Sequence, residues 1–161
     1  MSSELRVDKI NPTDGVPTGG GGGIIQVKSA TITNTFDNDQ ETFVDITGVT
    51  VTITPKFNTS KMLVMYNGCA GVESTNRFGH LRVVRVIGGT TNTTIYVGDQ
   101  GLSNQARTSS SFSCSQAYML NQFSGTFMDA PATTSAVTYK LQVAAGDLSL
   151  IHISEPTRPM N

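Results

Sequence analysis

The chain has 161 residues and a formal net charge of −1, and only 14% of its residues are charged. This length fits one domain with a short extension, and nothing in the charge balance indicates nucleic-acid binding, which calls for a basic face. No stretch approaches the roughly 18 apolar residues needed to cross a bilayer, and the first residues, "MSSELRVDKINPTDG", lack the apolar run of a secretory signal. The 22 threonines favour an all-β protein, because this β-branched residue suits the exposed face of a strand.

The N-terminal part of the chain is a polar leader followed by a glycine run. Residues 1–18 carry one short apolar pattern at Leu5, Val7 and Ile10, and Gly19–Gly23 come next. A phosphate-binding glycine loop needs a strand before it and a helix after it, whereas here a loop precedes and a strand-like segment follows. We therefore predict an extended leader over 1–18 and a flexible hinge over 19–23.

From Ile24 onward, apolar and polar residues alternate with the period of two that predicts β-strands. "VTVTITP" ends on Pro55, which closes a strand, and "AVTYKLQVAA" repeats the pattern near the C-terminus. The alternation predicts the following inward side chains: Val49, Val51, Ile53, Phe112, Cys114, Tyr118, Leu120, Val137, Tyr139, Leu141 and Val143. Turn residues separate about eight or nine short strands, so we predict an all-β fold, an antiparallel β-sandwich that is jelly-roll-like.

One predicted strand, "KMLVMY", is apolar on both faces. Such a strand is covered twice, by the other sheet of its own domain and by something else. A second apolar row in a two-layer sandwich meets either water or another chain. The candidate subunit interface is the row Met62, Val64 and Tyr66, and the opposite row is Leu63, Met65 and Cys69.

Three segments, taken in order, resemble a known family. They are "LRVDKINPTDG" running through the glycines into "GIIQVKSATITNTF", then "DITGVTVTITPKFNTSKMLVMYNG", and finally "FMDAPATTSAVTYKLQV". From about Leu5 to Asp147 the chain is similar to tail-fibre-like virion structural proteins of environmental, marine-type bacteriophages. The resemblance implies a virion protein whose N-terminal segment joins other virion proteins and whose distal β-sandwich is a homotrimer exposed to the host surface. It also implies assembly in the host cytoplasm.

The C-terminal residues depart from that family. Its members continue past "TYKLQV" with at least one more strand, whereas this chain continues as "LSLIHISEPTRPMN". Leu148–Arg158 matches an in-frame translation of the transposon-end adapter DNA used to prepare sequencing libraries. We therefore expect a β-sandwich over 24–147 that lacks its last strand or strands, and a non-native, adapter-derived tail over 148–161.

Two kinds of residue are candidates for contact with a host glycan or receptor. "NRFGHLRVVR" is a local cluster of positive charge, and on a strand His80 and Arg82 share a face. A guanidinium binds carboxylate or phosphate in bidentate fashion, and cross-strand pairing with Asp or Glu is the alternative role. Exposed aromatic side chains also bind sugars, and Tyr96 and Phe123, near predicted turns, are the candidates.

The remaining reactive residues predict neither a catalytic nor a metal site, and no cofactor. The carboxylates fall mostly in predicted turns, where aspartate bonds nearby backbone amides. "FDNDQE" offers Asp37, Asp39 and Glu41 to calcium but lacks the spacing of a known loop. Cys69 and Cys114 fit no metal motif; we expect free, buried thiols, with a disulfide as the alternative.

The sequence therefore favours a non-enzymatic phage virion appendage protein that contacts the host, with no nucleic-acid partner and no membrane insertion. A carbohydrate-binding or adhesive β-sandwich outside a virion is the alternative function. A depolymerase fragment is a third, which would need a pair of carboxylates across a groove.

Overall fold

The computed structural model describes residues 24, 26–99, 106–146 and 151–154. These residues form nine strands: β1 (Phe36–Asn38), β2 (Val44–Ile53), β3 (Met62–Val72), β4 (Arg77–Ile87), β5 (Thr91–Ile95), β6 (Ser110–Cys114), β7 (Leu120–Asp129), β8 (Val137–Ala145) and β9 (Ile151–Ser154). The predicted leader and glycine hinge, 1–18 and 19–23, lie outside the described residues. Within the described ranges, no helix is long and apolar enough to cross a membrane.

The strands form two antiparallel sheets. The first sheet has the order β1-β9-β3-β7, and the second has the order β2-β8-β4-β5, with β6 also paired to β4. Apart from β4 to β6, which stay in the second sheet, each strand is followed by one in the opposite sheet. This alternation is the connectivity of a jelly roll, so the predicted all-β sandwich is confirmed.

The core lies between the sheets and consists of the inward side chains of alternating strands. In β8 the predicted inward residues Val137, Tyr139, Leu141 and Val143 are all buried. Leu81 of β4 meets them from the same sheet and is fully buried. Each such aliphatic side chain stabilises the fold by about 1.5–3 kcal/mol relative to an exposed one, and so the period of two in the sequence is the main determinant of the fold.

Aromatic rings in the core lie over glycines on neighbouring strands. A Cβ atom at any of these glycines would collide with the ring opposite, so each pair fits only with glycine on one side. The pairs are Gly68 with Phe123, Gly79 with Phe112, and Gly125 with Tyr66. Because a slip of one residue would break them, these pairs fix the register of the strands.

The two apolar rows of β3 have different surroundings. Met62, Val64 and Tyr66 pack against the core, whereas Leu63 and Met65 are 56% and 70% exposed. Our candidate interface row therefore faces inward, and the row that is free to meet a partner is the opposite one. Both rows have the same alternation, so the pattern alone did not distinguish them; the inward row is the one that has Gly125 across from Tyr66.

The last strand, β9, lies between β1 and β3 and extends the sandwich past residue 147, the end predicted for it. It pairs with β1 and with Cys69–Val72 of β3. Ile151 is fully buried and Ile153 is 3% exposed, so both belong to the core. Within the described residues, Met62–Gly68 of β3 pairs with β7 alone. The adapter origin of residues 148–161 stays a prediction.

A polar link also joins the two sheets. The Asp129 carboxylate, at the end of β7, accepts hydrogen bonds of 2.7 Å from Arg85 Nη1 and from the Tyr139 hydroxyl, both in the second sheet. Burial, followed by the hydrogen bond to Asp129 and its negative charge, raises the pKa of Tyr139. The expectation that the carboxylates bond nearby turn amides is therefore wrong for Asp129, which binds side chains of the opposite sheet.

A bulge interrupts β2, and Gly48 allows it. Asp45 pairs with Gln142 and Thr50 pairs with Lys140, so the residues between Asp45 and Thr50 break the register with β8. Gly48 has a φ of +88°, in the left-handed region that a side chain disfavours. A Cβ atom there would also lie 2.6 Å from Ile32 Cγ2. The bulge therefore depends on glycine.

We expect Gly48→Ala to lower the free energy of unfolding by about 1–3 kcal/mol, because the alanine adds backbone strain and collides with Ile32. Gly98→Ala is the matched control, since a Cβ atom at Gly98 has no neighbour within 4 Å. Its effect is expected to stay within about 0.5 kcal/mol. Urea unfolding of both variants measures the difference, and equal losses would contradict the role of Gly48.

Candidate functional site

A polar groove lies on the outer face of the second sheet. Its volume is about 500 Å³, and it is open to solvent. Side chains and backbone from four strands and one turn line it: Asp45, Thr50, Val86, Gly89, Thr90, Asn92, Thr138 and Lys140. The other outer surface of the sandwich, that of the first sheet, carries the exposed apolar row of β3. The two outer faces therefore differ in chemistry.

The strands position the groove residues by simple alternation. Thr138 and Lys140 are the outward residues of β8 between buried inward ones. Asp45 and Thr50 of β2 lie on either side of the bulge, which brings them opposite Gln142 and Lys140 of β8.

The turn between β4 and β5 contributes to the opposite side of the groove. It contains Gly88 and Gly89, whose φ angles of 61° and 76° favour glycine. Gly89 and Thr90 of this turn line the groove together with Asn92 of β5.

The charged groups of the groove are paired with each other. Lys140 Nζ lies 2.7 Å from Asp45 Oδ2, and Gln142 Nε2 donates to Asp45 Oδ1 at 2.6 Å. Burial alone would raise the pKa of Asp45, but hydrogen bonds from Lys140 and Gln142, with the charges of Lys140 and Arg82, outweigh it and hold the pKa below its usual value. At neutral pH the groove therefore contains a fixed carboxylate beside a fixed ammonium group.

Arg82 lies beside the groove on the same strand and face as His80, as predicted. Its Nε donates to Gln142 Oε1 at 2.7 Å, and its guanidinium stacks 4.0 Å from the centre of the Phe43 ring. Arg82 therefore has a cross-strand partner, and its guanidinium is not an open anion clamp. The partner is Gln142, whereas the predicted alternative was pairing with Asp or Glu. Gln142, only 8% exposed, links it to Asp45.

His80 is half-buried next to Phe78, with the two ring centres 5.2 Å apart. Its Nδ1 atom is buried and has no hydrogen-bond partner among the described residues. Burial lowers its pKa, which favours the neutral imidazole. A neutral, half-buried ring is a poor group for binding an anionic glycan.

Of the two predicted aromatic contacts, the structure exposes one and buries the other. Tyr96 is 47% exposed and stacks on Phe127 with ring centres 4.4 Å apart, outside the groove. Phe123 is only 6% exposed because its ring lies over Gly68, so it is not available as a surface contact. Tyr118 and Leu120, predicted inward, are 65% and 55% exposed, because the turn after β6 breaks the alternation that we extended through it.

The remaining candidates add no reactive centre. Within the described residues, no three His, Cys, Asp or Glu side chains form a group that could hold a metal ion. In the calcium candidate, the Asp39 carboxylate accepts a hydrogen bond from Gln40 Nε2. Cys69 and Cys114 are free thiols, as expected, although Cys69 is only partly buried. The groove brings a carboxylate, an ammonium group, an amide and several hydroxyl groups within reach of one ligand.

Neither family models nor curated proteins give a relative from which to transfer a function. No protein-family model matches the chain, and no curated protein matches it either. The fold and the site define a jelly-roll sandwich with a polar groove on one outer face and an apolar row on the other.

Proposed function

We propose that this chain is a non-enzymatic, tail-fibre-like structural protein of a bacteriophage virion appendage. In this proposal it assembles in the host cytoplasm as a homotrimer, its N-terminal segment joins other virion proteins, and its sandwich contacts the host surface. The resemblance of the three sequence segments supports the virion setting and the three-fold symmetry. The two chemically different faces of the sandwich support a division between assembly and contact.

The observation that carries the proposal is the apolar row on the outer face of the first sheet. Leu63 of β3 pairs directly with Met128 of β7, and Met65 lies two residues further along. Leu63 is 56% exposed, Met128 is 59% exposed and Met65 is 70% exposed. Covering a fully exposed side chain of this size is worth about 1.5–3 kcal/mol, and each of these, already partly covered, contributes about half to two-thirds of that. Cyclic symmetry covers them in every subunit without leaving an open end.

The experiment is a measurement of mass in solution, at micromolar concentration, for the chain and its Leu63→Ser/Met65→Ser variant. We expect the chain to have three times its 17.1 kDa and the variant to be a monomer. Phe57→Ser is the control, because Phe57 is 45% exposed in the turn before β3 and not in the row. A monomeric wild-type chain, or a variant that assembles like the control, would refute assembly through this row.

The second candidate is a carbohydrate-binding or adhesive β-sandwich outside a virion, which the polar groove favours. The two functions predict different neighbours on the source DNA. Tail or baseplate genes beside this one support the virion protein, whereas a secreted or surface-anchored context supports the free binding module.

A further inference from the structure

We propose that the groove on the outer face of the second sheet binds a neutral saccharide. This proposal deepens the host-contact part of the proposed function and rests on it only for placing the saccharide on a cell surface. The groove is lined by Asp45, Thr50, Val86, Gly89, Thr90, Asn92, Thr138 and Lys140. Its residues differ from the histidine, arginine and aromatic residues that the sequence singled out.

The charge distribution selects an uncharged ligand. Lys140 and Asp45 form an ion pair of 2.7 Å at the groove, so neither charge is left alone to attract an ion of opposite sign. An anionic ligand would face the Asp45 carboxylate at close range, and a cationic one would face the Lys140 ammonium group. For either ion, the repulsion by one partner of the pair largely cancels the attraction by the other. An ionic ligand therefore gains little electrostatic free energy while it loses its hydration, and a neutral ligand loses less.

The hydrogen-bonding groups match a polyhydroxylated ligand. The Asp45 carboxylate accepts from hydroxyl groups, the Lys140 ammonium group has three N–H donors, and the Asn92 amide both donates and accepts. The hydroxyl groups of Thr50 and Thr90 do both as well. Neighbouring hydroxyl groups of a sugar ring can therefore donate to the carboxylate and accept from the ammonium or amide group at the same time.

The groove also has one apolar contact, and hydrogen bonds within the protein fix its polar side chains before a ligand binds. Val86 lies at the base of the groove and is only 8% exposed, so it adds a small aliphatic contact. The Gln142 and Lys140 hydrogen bonds fix the Asp45 carboxylate, and the hydroxyl groups of Thr52 and Thr138 bond at 2.8 Å. Groups fixed on strands lose little conformational entropy on binding, which favours affinity.

The test uses three neutral oligosaccharides as probes: maltohexaose, cellohexaose and chitohexaose, with an alginate hexamer as the anionic comparison. Saturation-transfer NMR detects binding, and calorimetry gives the dissociation constant. We expect at least one neutral probe to bind, and Asn92→Ala to weaken that binding about tenfold or more through the lost amide hydrogen bonds. Asn67→Ala, at an exposed asparagine on the outer face of the first sheet, should leave the affinity unchanged.

Binding of none of the three neutral probes, binding of alginate alone, or equal affinities of Asn92→Ala and Asn67→Ala would overturn the proposal. The outcome is separable from that of the assembly experiment, because the two sites lie on opposite sheets. A monomer that binds a neutral probe refutes the trimer and keeps the groove. A trimer that binds none refutes the groove alone.

Discussion

A chain that ends at Asp147 is expected to lose its cooperative fold and to aggregate. The truncation removes β9, which pairs with β1 on one side and β3 on the other. It also removes Ile151 and Ile153, both buried in the core. Removing a buried isoleucine side chain costs about 2–5 kcal/mol, and a typical domain is stable by only about 5–15 kcal/mol. The backbone groups of β1 and β3 would be left unpaired and free to join other chains.

A chain that ends at Ser154 is the matched control, because it keeps β9 and removes only the residues that follow. Near-UV circular dichroism and light scattering of the two truncations measure folding and aggregation. In the full-length chain, Ile151→Ala is expected to be destabilising, whereas Ile24→Ala should have little effect because Ile24 is 83% exposed. Equal solubility and stability of the chains ending at 147 and 154 would show that β9 contributes nothing.

The second large effect is expected at the polar link between the sheets. Arg85→Met removes the cation that lies 2.7 Å from Asp129, whose side chain is only 11% exposed. A buried charge left without its partner destabilises a protein by about 3–5 kcal/mol. We therefore expect a loss of this size in the free energy of unfolding, measured in urea. The Tyr139 hydroxyl still donates a hydrogen bond to Asp129, so we expect a loss towards the lower end of this range.

Lys140→Met is the matched control, since it also removes the cation of an ion pair of 2.7 Å. This variant leaves the Asp45 carboxylate without its cation. Asp45 is 47% exposed and keeps its hydrogen bond from Gln142, so water can solvate the carboxylate. Its expected cost is about 1 kcal/mol or less. The double variant Arg85→Met/Asp129→Leu should recover part of the loss, because it removes the unpaired carboxylate but leaves the Tyr139 hydroxyl without its acceptor. Similar costs for the two single variants would contradict this account.

The sequence predicted the sandwich because burial on one face imposes a period of two, and that period is visible in β2 and β8. The prediction failed where alternation alone did not decide which face of a strand points into the core. In β3 both rows are apolar, and the choice between them depends on Gly125, which lies far away in sequence and gives room to the Tyr66 ring. The burial of Phe123 has the same origin in Gly68. Contacts of this kind join residues that are far apart in the chain, and a single sequence does not show which residues become neighbours across strands.

The groove could be predicted only in part. The outward parity of Thr138 and Lys140 follows from "AVTYKLQVAA", and Asp45 is present in the sequence as one of several carboxylates. The sequence does not contain the step that brings them together, which is the pairing of β2 with β8 on either side of the bulge. The position of Asn92 beside them depends likewise on how the turn at Gly88 and Gly89 closes.

The glycine and aromatic pairs of the core have a consequence for how this protein can evolve. At each pair a larger residue in place of glycine collides with the ring, and a smaller residue in place of the ring leaves a hole beside the glycine. A change at either residue alone destabilises the fold, so the two residues of each pair are expected to change together or not at all. Variation is expected to accumulate instead on the outward residues of β2, β5 and β8. The outer face of the second sheet can thus diversify on a framework that stays fixed.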